Sequence, residues 1–296
     1  MGLWERLKSI FSPKPPGLAG KKLDVRSRFE LLRSAISGTM SKFYMAKDRS
    51  TGEIVGLKIL DPEKLAAFES RFKGLNKPCE GEIAARFYHP YIVNTIEHGV
   101  TTDGCQYLVM EYLEGPTMNS VLVARDGRLD GHRVKYLRQV AEALLAVHQA
   151  GFIHRDVCPR NLIFTGDFET LKLTDFGLTV PAKPPFMRPG NRTGTPNYMA
   201  PELVRRRATD QRLDVFSFGV TAYEICTGQL PWPRGTTGMA AMSHDTEPTD
   251  IRTHRPNINP LLAEAIHRSI EPDLSKRYRS MEDFLRKIRR VDREEQ

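Results

Sequence analysis

Asp156 ends the run His154-Arg155-Asp156, and Asn161 follows it in the same short stretch. Asp175 opens Asp175-Phe176-Gly177, directly after the apolar run Leu171 to Thr174. Far upstream, Lys58 closes Val55-Gly56-Leu57-Lys58, and Glu80 and Glu82 come after it. Carboxylate and amide oxygens are hard donors suited to Mg²⁺. A lysine suits phosphate oxygens, and a carboxylate can take the proton of a hydroxyl. Phosphoryl transfer from a nucleotide needs those three services and little covalent chemistry from the protein. Lone Asp and Lys side chains are ordinarily surface charges, so order and spacing single these out rather than residue type.

Downstream stands Gly194-Thr195-Pro196-Asn197-Tyr198-Met199-Ala200-Pro201-Glu202. Taken in order, these segments resemble the eukaryotic-type (Hanks-type) protein kinase family, which includes bacterial serine/threonine kinases. The resemblance runs from about Phe29 to about Arg290. It implies an α+β fold of two lobes: a small antiparallel sheet with one main helix, then a larger, mostly helical lobe. It also implies roles, residue by residue. Asp156 matches the base that accepts the proton of the substrate hydroxyl, and Asn161 and Asp175 match the two Mg²⁺ ligands. Lys58 matches the lysine on the ATP phosphates. Its partner is a glutamate, and spacing to His89-Pro90 favours Glu80 over Glu82. Helical phase agrees, because Glu80, Ala84 and Phe87 share one face. Met110, Glu111 and Leu113 match the adenine-binding segment, and Ile163 the residue under the ring. Glu202 and Arg277 match a buried ion pair, and Asp214 an aspartate that supports the catalytic loop.

Several positions depart from the family pattern. The glycine loop reads Ile36-Ser37-Gly38-Thr39-Met40-Ser41-Lys42-Phe43, keeping one of three glycines. Gly lets a backbone approach phosphate closely, so Ile36 and Ser41 predict modest ATP affinity. Phe43 stands for the usual valine above the adenine, and Gly56 for the usual alanine of the lysine strand. One change adds bulk and the other removes it, so the two are expected to compensate. Cys158 replaces a lysine that contacts the transferred phosphate, and Arg160 is the candidate to supply its charge. The bland reading of Arg160 is a solvent-facing side chain. Cys158 reads as a small packed side chain, or else as an oxidation-sensitive thiol. Gly194-Thr195 and the segment to Glu202 favour Ser or Thr as acceptor, whereas Arg160 leans towards tyrosine. Thr193 and then Thr179 are the candidates for regulatory phosphorylation.

The elements that must position these groups are legible in outline. Phe43 to Lys47, Ile54 to Leu60 and Tyr107 to Met110 read as strands, with Glu80 to Phe87 a helix between them. Helices dominate after Asn119: Val134 to Ala150, a nearly all-apolar Val215 to Cys226, Leu261 to Ile270 and Met281 to Ile288. The expected division is residues 1–25 as extension and Pro/Gly linker, 26–111 as the first lobe and 112–296 as the second.

The chain has 296 residues, 40% hydrophobic and 27% charged, with formal net charge +8. That suits a globular protein with its own core. The basic residues are scattered rather than striped, so no specific nucleic-acid partner is expected. Cys79, Cys105, Cys158 and Cys226 form no CxxC pair, which disfavours zinc and disulfides and favours a reducing, cytoplasmic setting. No spanning helix and no secretory leader are expected. Met1 to Phe11 reads as an amphipathic helix, a weak membrane-surface or partner anchor or a segment docked on its own domain. The partners expected are ATP and protein substrates. The competing readings are a pseudokinase, motivated by the thin glycine loop and Cys158, and a small-molecule kinase, which would lack the segment from Gly194 to Glu202.

Overall fold

A computed structural model describes residues 22–33, 36–38, 40–190, 192–233 and 244–295. The expected helix over Met1 to Phe11 lies outside the described residues, as does the side chain of Ile36. The chain divides into two compact units, one up to Glu114 and one from Gly115 onward.

The first unit is built on one antiparallel sheet. Its strands are β1 (Phe29–Leu31), β2 (Ile36–Ser37), β3 (Ser41–Asp48), β4 (Ile54–Leu60), β5 (Thr95–Val100) and β6 (Gln106–Glu111), in the order β1-β3-β4-β6-β5 with β2 on β3. Leu23 pairs with Thr101 in an isolated bridge, and the Asp24 side chain caps α1 (Val25–Arg28). The near-continuous apolar run of β4 reflects its central place between β3 and β6. Its Val55 and Leu57 pack with Phe29, Ala46, Tyr107 and Val109 in one cluster.

Two helices follow β4. The sequence reading did not anticipate α2 (Pro62–Glu69), although its start is well marked. The Asp61 carboxylate accepts from the amides of Glu63 and Lys64, and Pro62 sits at the first turn. Helix α3 (Glu80–Ala84) is shorter than the expected Glu80 to Phe87. Arg86 N donates to Ile83 O and Phe87 N to Ala84 O, each at 3.1 Å, so the helix tightens into i→i+3 turns ahead of His89-Pro90.

The second unit is mostly helical: α4 (Met118–Ala124), α5 (Arg133–Gln149), α6 (Pro201–Val204), α7 (Arg212–Thr227), α8 (Pro260–Ser269) and α9 (Met281–Lys287). Helix α7 is buried from Leu213 to Cys226, as its all-round apolar sequence requires. Two small antiparallel pairs stand among the helices: β7 (Phe152–Ile153) with β10 (Val180–Pro181), and β8 (Leu162–Phe164) with β9 (Leu171–Leu173). The C-terminal stretch is clasped by Glu294. Its buried carboxylate accepts from the amides of Gly131 and Arg133 at 2.9 and 3.1 Å, and from the Arg133 and Arg255 guanidinium groups. Among the described residues no helix is long and apolar enough to cross a membrane.

Candidate active site

In the first unit, Lys58 is a cation on an otherwise apolar strand, opposite Phe43 on β3 and Leu108 on β6. Burial of a lone ammonium is costly, and the partner is close: Lys58 Nζ lies 2.5 Å from Glu80 Oε1. Glu82 is occupied elsewhere. Its Oε2 accepts from the Cys79 amide at 2.8 Å, while its own amide donates to Cys79 Sγ at 3.4 Å, a capping box with cysteine as the cap. Glu80 therefore reaches Lys58 and Glu82 starts the helix. Gly81 lets α3 lie this close to β5, since a Cβ there would stand 2.5 Å from His98 Cβ.

The ring of Phe43 fills the space that a side chain on Gly56 would take. A Cβ at Gly56 would stand 2.8 Å from Phe43 Cζ and 3.0 Å from Met110 Cγ. The bulky and the missing side chain are thus complementary in space, on adjacent strands. Gly38 turns the β2–β3 hairpin, its amide donating to Ser41 O at 2.8 Å. Glu111 ends β6, where its Oε1 accepts from the Asn94 amide at 2.6 Å, and Leu113 follows half-buried.

In the second unit, the catalytic-loop candidates are held from below by α7. The fully buried Asp214 accepts from the amides of His154 and Arg155, both at 2.7 Å, and from His148 Nε2 at 2.8 Å. Burial alone would raise this carboxyl, but the His148 contact, the two histidine charges and the Arg155 amide hold it below the usual carboxylate range. The two amide bonds also secure Arg155 in a left-handed conformation, φ 72°.

Asp156 follows directly, half-buried. Its Oδ2 accepts from Asn161 Nδ2 at 2.9 Å, and its Oδ1 from the Thr195 amide and hydroxyl at 2.9 and 2.7 Å. Asn161 Nδ2 also donates to Asp156 O, which leaves its amide oxygen as the metal-seeking end. Asn161 and Asp175 are brought together by the β8–β9 hairpin: Leu162 faces Leu173, and Thr174 N donates to Asn161 O at 3.0 Å. Asp175 adopts φ 65°, and its Oδ1 accepts from the Gly177 amide. Ile163 sits half-buried on β8, bridged to Thr117.

Arg160 is exposed, with Nη2 3.5 Å from Thr195 Oγ1. Thr195 thus contacts both Asp156 and Arg160, a junction that sequence reasoning missed. The residue was visible in Gly194-Thr195, but its contact spans the fold and no local spacing announces it. Cys158 is 1% exposed, and burial and the neighbouring Asp156 charge push its thiol up to about 11. That is the packed side chain, not an activated thiolate. Thr179 is fully buried with its hydroxyl on His154 O, an inaccessible place for a modification, whereas Thr193 is half-buried. Glu202 and Arg277 pair through two contacts at 2.8 and 3.1 Å.

Among the described residues no group of three or more His, Cys, Asp or Glu could hold a metal on its own. One carboxylate and one amide oxygen fit Mg²⁺ that takes its remaining ligands from phosphate and water.

A family model described as Protein kinase domain matches residues 30–295. The chain is 30% identical over 300 residues to serine/threonine-protein kinase pkn3 of Myxococcus xanthus, covering 96% of this chain and 53% of that protein. It is 32% identical over 283 residues to pkn2 of the same organism, with 90% and 33% covered. It is 33% identical over 265 residues to serine/threonine-protein kinase PknA of Mycobacterium tuberculosis, with 86% and 58% covered. The chain thus spans between a third and somewhat over half of the length of these relatives. With the match running from β1 through the Glu294 clasp, this chain belongs to the protein kinase family.

Proposed function

We propose that the chain transfers the γ-phosphate of ATP to serine or threonine hydroxyls of proteins. The observation that carries the reading is the placement of Asp156, Asn161 and Asp175 around one hairpin end, with Asp156 fixed through both carboxylate oxygens. In this reading Asp156 orients the acceptor hydroxyl and takes its proton as the oxygen bonds to phosphorus and the bond to ADP breaks. Asn161 and Asp175 would hold Mg²⁺, which would supply positive charge to offset that of the phosphates. Lys58, steadied by Glu80, holds the phosphates. Ile36 and Gly38 belong to the loop for the phosphates, and Phe43, Gly56, Met110, Glu111, Leu113 and Ile163 are the residues for the adenine. Arg160 supplies, through its place beside Thr195, the cation that Cys158 lacks. Four unpaired cysteines support a reducing, cytoplasmic setting. The relatives' names support Ser and Thr over Tyr as acceptors.

The test is transfer of labelled γ-phosphate from Mg-ATP to the protein and to an added protein substrate, wild type against Asp175→Ala. Label on serine or threonine that disappears in the variant is the expected result. ATP binding without label in either protein would replace this reading with that of a pseudokinase.

A further inference from the structure

The segment after Asp175 carries a charge imbalance that phosphoryl transfer itself does not require. Between residues 176 and 209 the single acidic side chain is Glu202, and it is buried and taken up by Arg277. The cations of the same stretch, Lys183, Arg188, Arg192, Arg205, Arg206 and Arg207, are all exposed. Among the described residues only Arg205 of these has an ion-pair partner, Asp245.

The fold links part of this charge to the surroundings of Asp156. Arg160 reaches Thr195 Oγ1, which donates to Asp156. Leu203 of α6 lines the same small cavity as Asp156, Thr195 and Met199. The arginine run begins two residues later and folds back on the helix, Arg206 N donating to Leu203 O at 3.2 Å and Arg207 N to Glu202 O at 2.8 Å. Thr209 N donates to Met187 O at 3.0 Å, which ties the neighbouring Arg188 to the end of the same run. Guanidinium forks match carboxylates, and a one-signed rim raises the local concentration of the opposite charge. Each exposed pair is weak, so a preference has to come from several acting together.

We infer that the substrates this site takes are acidic segments, a serine or threonine hydroxyl flanked by Asp or Glu, read by Arg160, Arg188 and the run Arg205 to Arg207. The inference rests on the kinase reading above and names the substrate class of that site. The same field disfavours the protein's own Thr193, which follows Arg192, as an acceptor for a second copy.

The experiment uses the full chain, Mg-ATP and three peptides sharing one serine, flanked on both sides by Glu, by Ala or by Arg. The kcat/KM for the glutamate peptide is expected to exceed that for the alanine peptide by about tenfold, and that for the arginine peptide by more. The gap should shrink as salt rises. In Arg206→Glu/Arg207→Glu the ratio of glutamate to arginine peptide should fall sharply; a ratio within one preparation cancels any loss of folded protein. An arginine peptide used as well as the glutamate one, or a ratio untouched by charge reversal, overturns the inference and leaves the kinase reading standing. No transfer to any peptide or to the protein itself removes the kinase reading, and this inference with it.

Discussion

Two buried ion pairs, one in each unit, look alike on paper and are built differently. Arg277 keeps none of its side chain open to solvent and Lys58 keeps 10%. Arg277 meets Glu202 with both fork nitrogens, and its remaining donors go to Glu271 O, Arg212 O and Pro272 O, with the Phe216 ring 4.9 Å below. Every donor is used in holding α6 to α7 and the loop before α9. Lys58 is a compact charge met at one oxygen of Glu80, with Gly56 and Phe43 shaping the neighbouring surface. A fork saturated by the fold is a brace. A compact ammonium on a flexible stem can re-aim its donors, which a planar fork cannot. The difference teaches that two buried ion pairs of like charge can differ in how far the fold fixes their geometry.

The contrast can be broken most forcefully at the brace. Arg277→Ala leaves Glu202 charged in the interior and is expected to cost about 3–5 kcal/mol of stability, read from the midpoint of urea unfolding. A small shift in midpoint would reject the brace. Glu80→Gln keeps an amide oxygen for the Lys58 ammonium, so the unfolding midpoint should move less than in Arg277→Ala, while kcat/KM falls about 10²-fold through misplaced phosphates. Glu82→Gln should spare turnover and touch only the helix start. Equal losses in the two glutamine variants would undo the pairing argument. Arg160→Ala sharpens the assignment in the second unit: kcat is expected to fall about tenfold with ATP affinity retained, and unchanged kcat would return Arg160 to the solvent. Smaller still is the strand pair. Gly56→Ala should raise the KM for ATP a few-fold, and adding Phe43→Val should recover part of it; strictly additive effects would show that the two positions do not share the space. Last, Cys158 should resist alkylation at about pH 8 in the folded protein and react in urea, since its raised pKa withholds the thiolate. Rapid labelling of folded protein would contradict that.

The legible parts of the molecule were those where one physical demand dominates locally. Ile54 to Leu60 is a central strand and therefore apolar throughout, and Val215 to Cys226 is a helix buried on every side. Strand β5 was not read, because Thr95 to Val100 lies at the sheet edge and mixes Glu97 and His98 with apolar residues. Helix α2 was overlooked although Asp61-Pro62 gave it a cap and a first turn. The choice of Glu80 over Glu82 followed from helical phase, which survives even in a helix this short. Thr195 escaped because a contact across the chain between the Gly194-Thr195 segment and Asp156 leaves no trace in spacing. The compensation between Phe43 and Gly56 was readable because the two deviations concern opposite changes in volume on paired strands.

The Glu294 clasp has a mechanical meaning. A pull applied near residue 295 enters α5 at Arg133, the residue Glu294 grips through both amide and guanidinium. Helix α5 runs without a break from Arg133 to His148, whose ring bonds to Asp214. That same carboxylate suspends the amides of His154 and Arg155, one step before Asp156. The stretch around Glu294 is thus tied, through one continuous helix, to the turn presenting Asp156. Tension on it would be borne by helix and carboxylate rather than absorbed by slack loop.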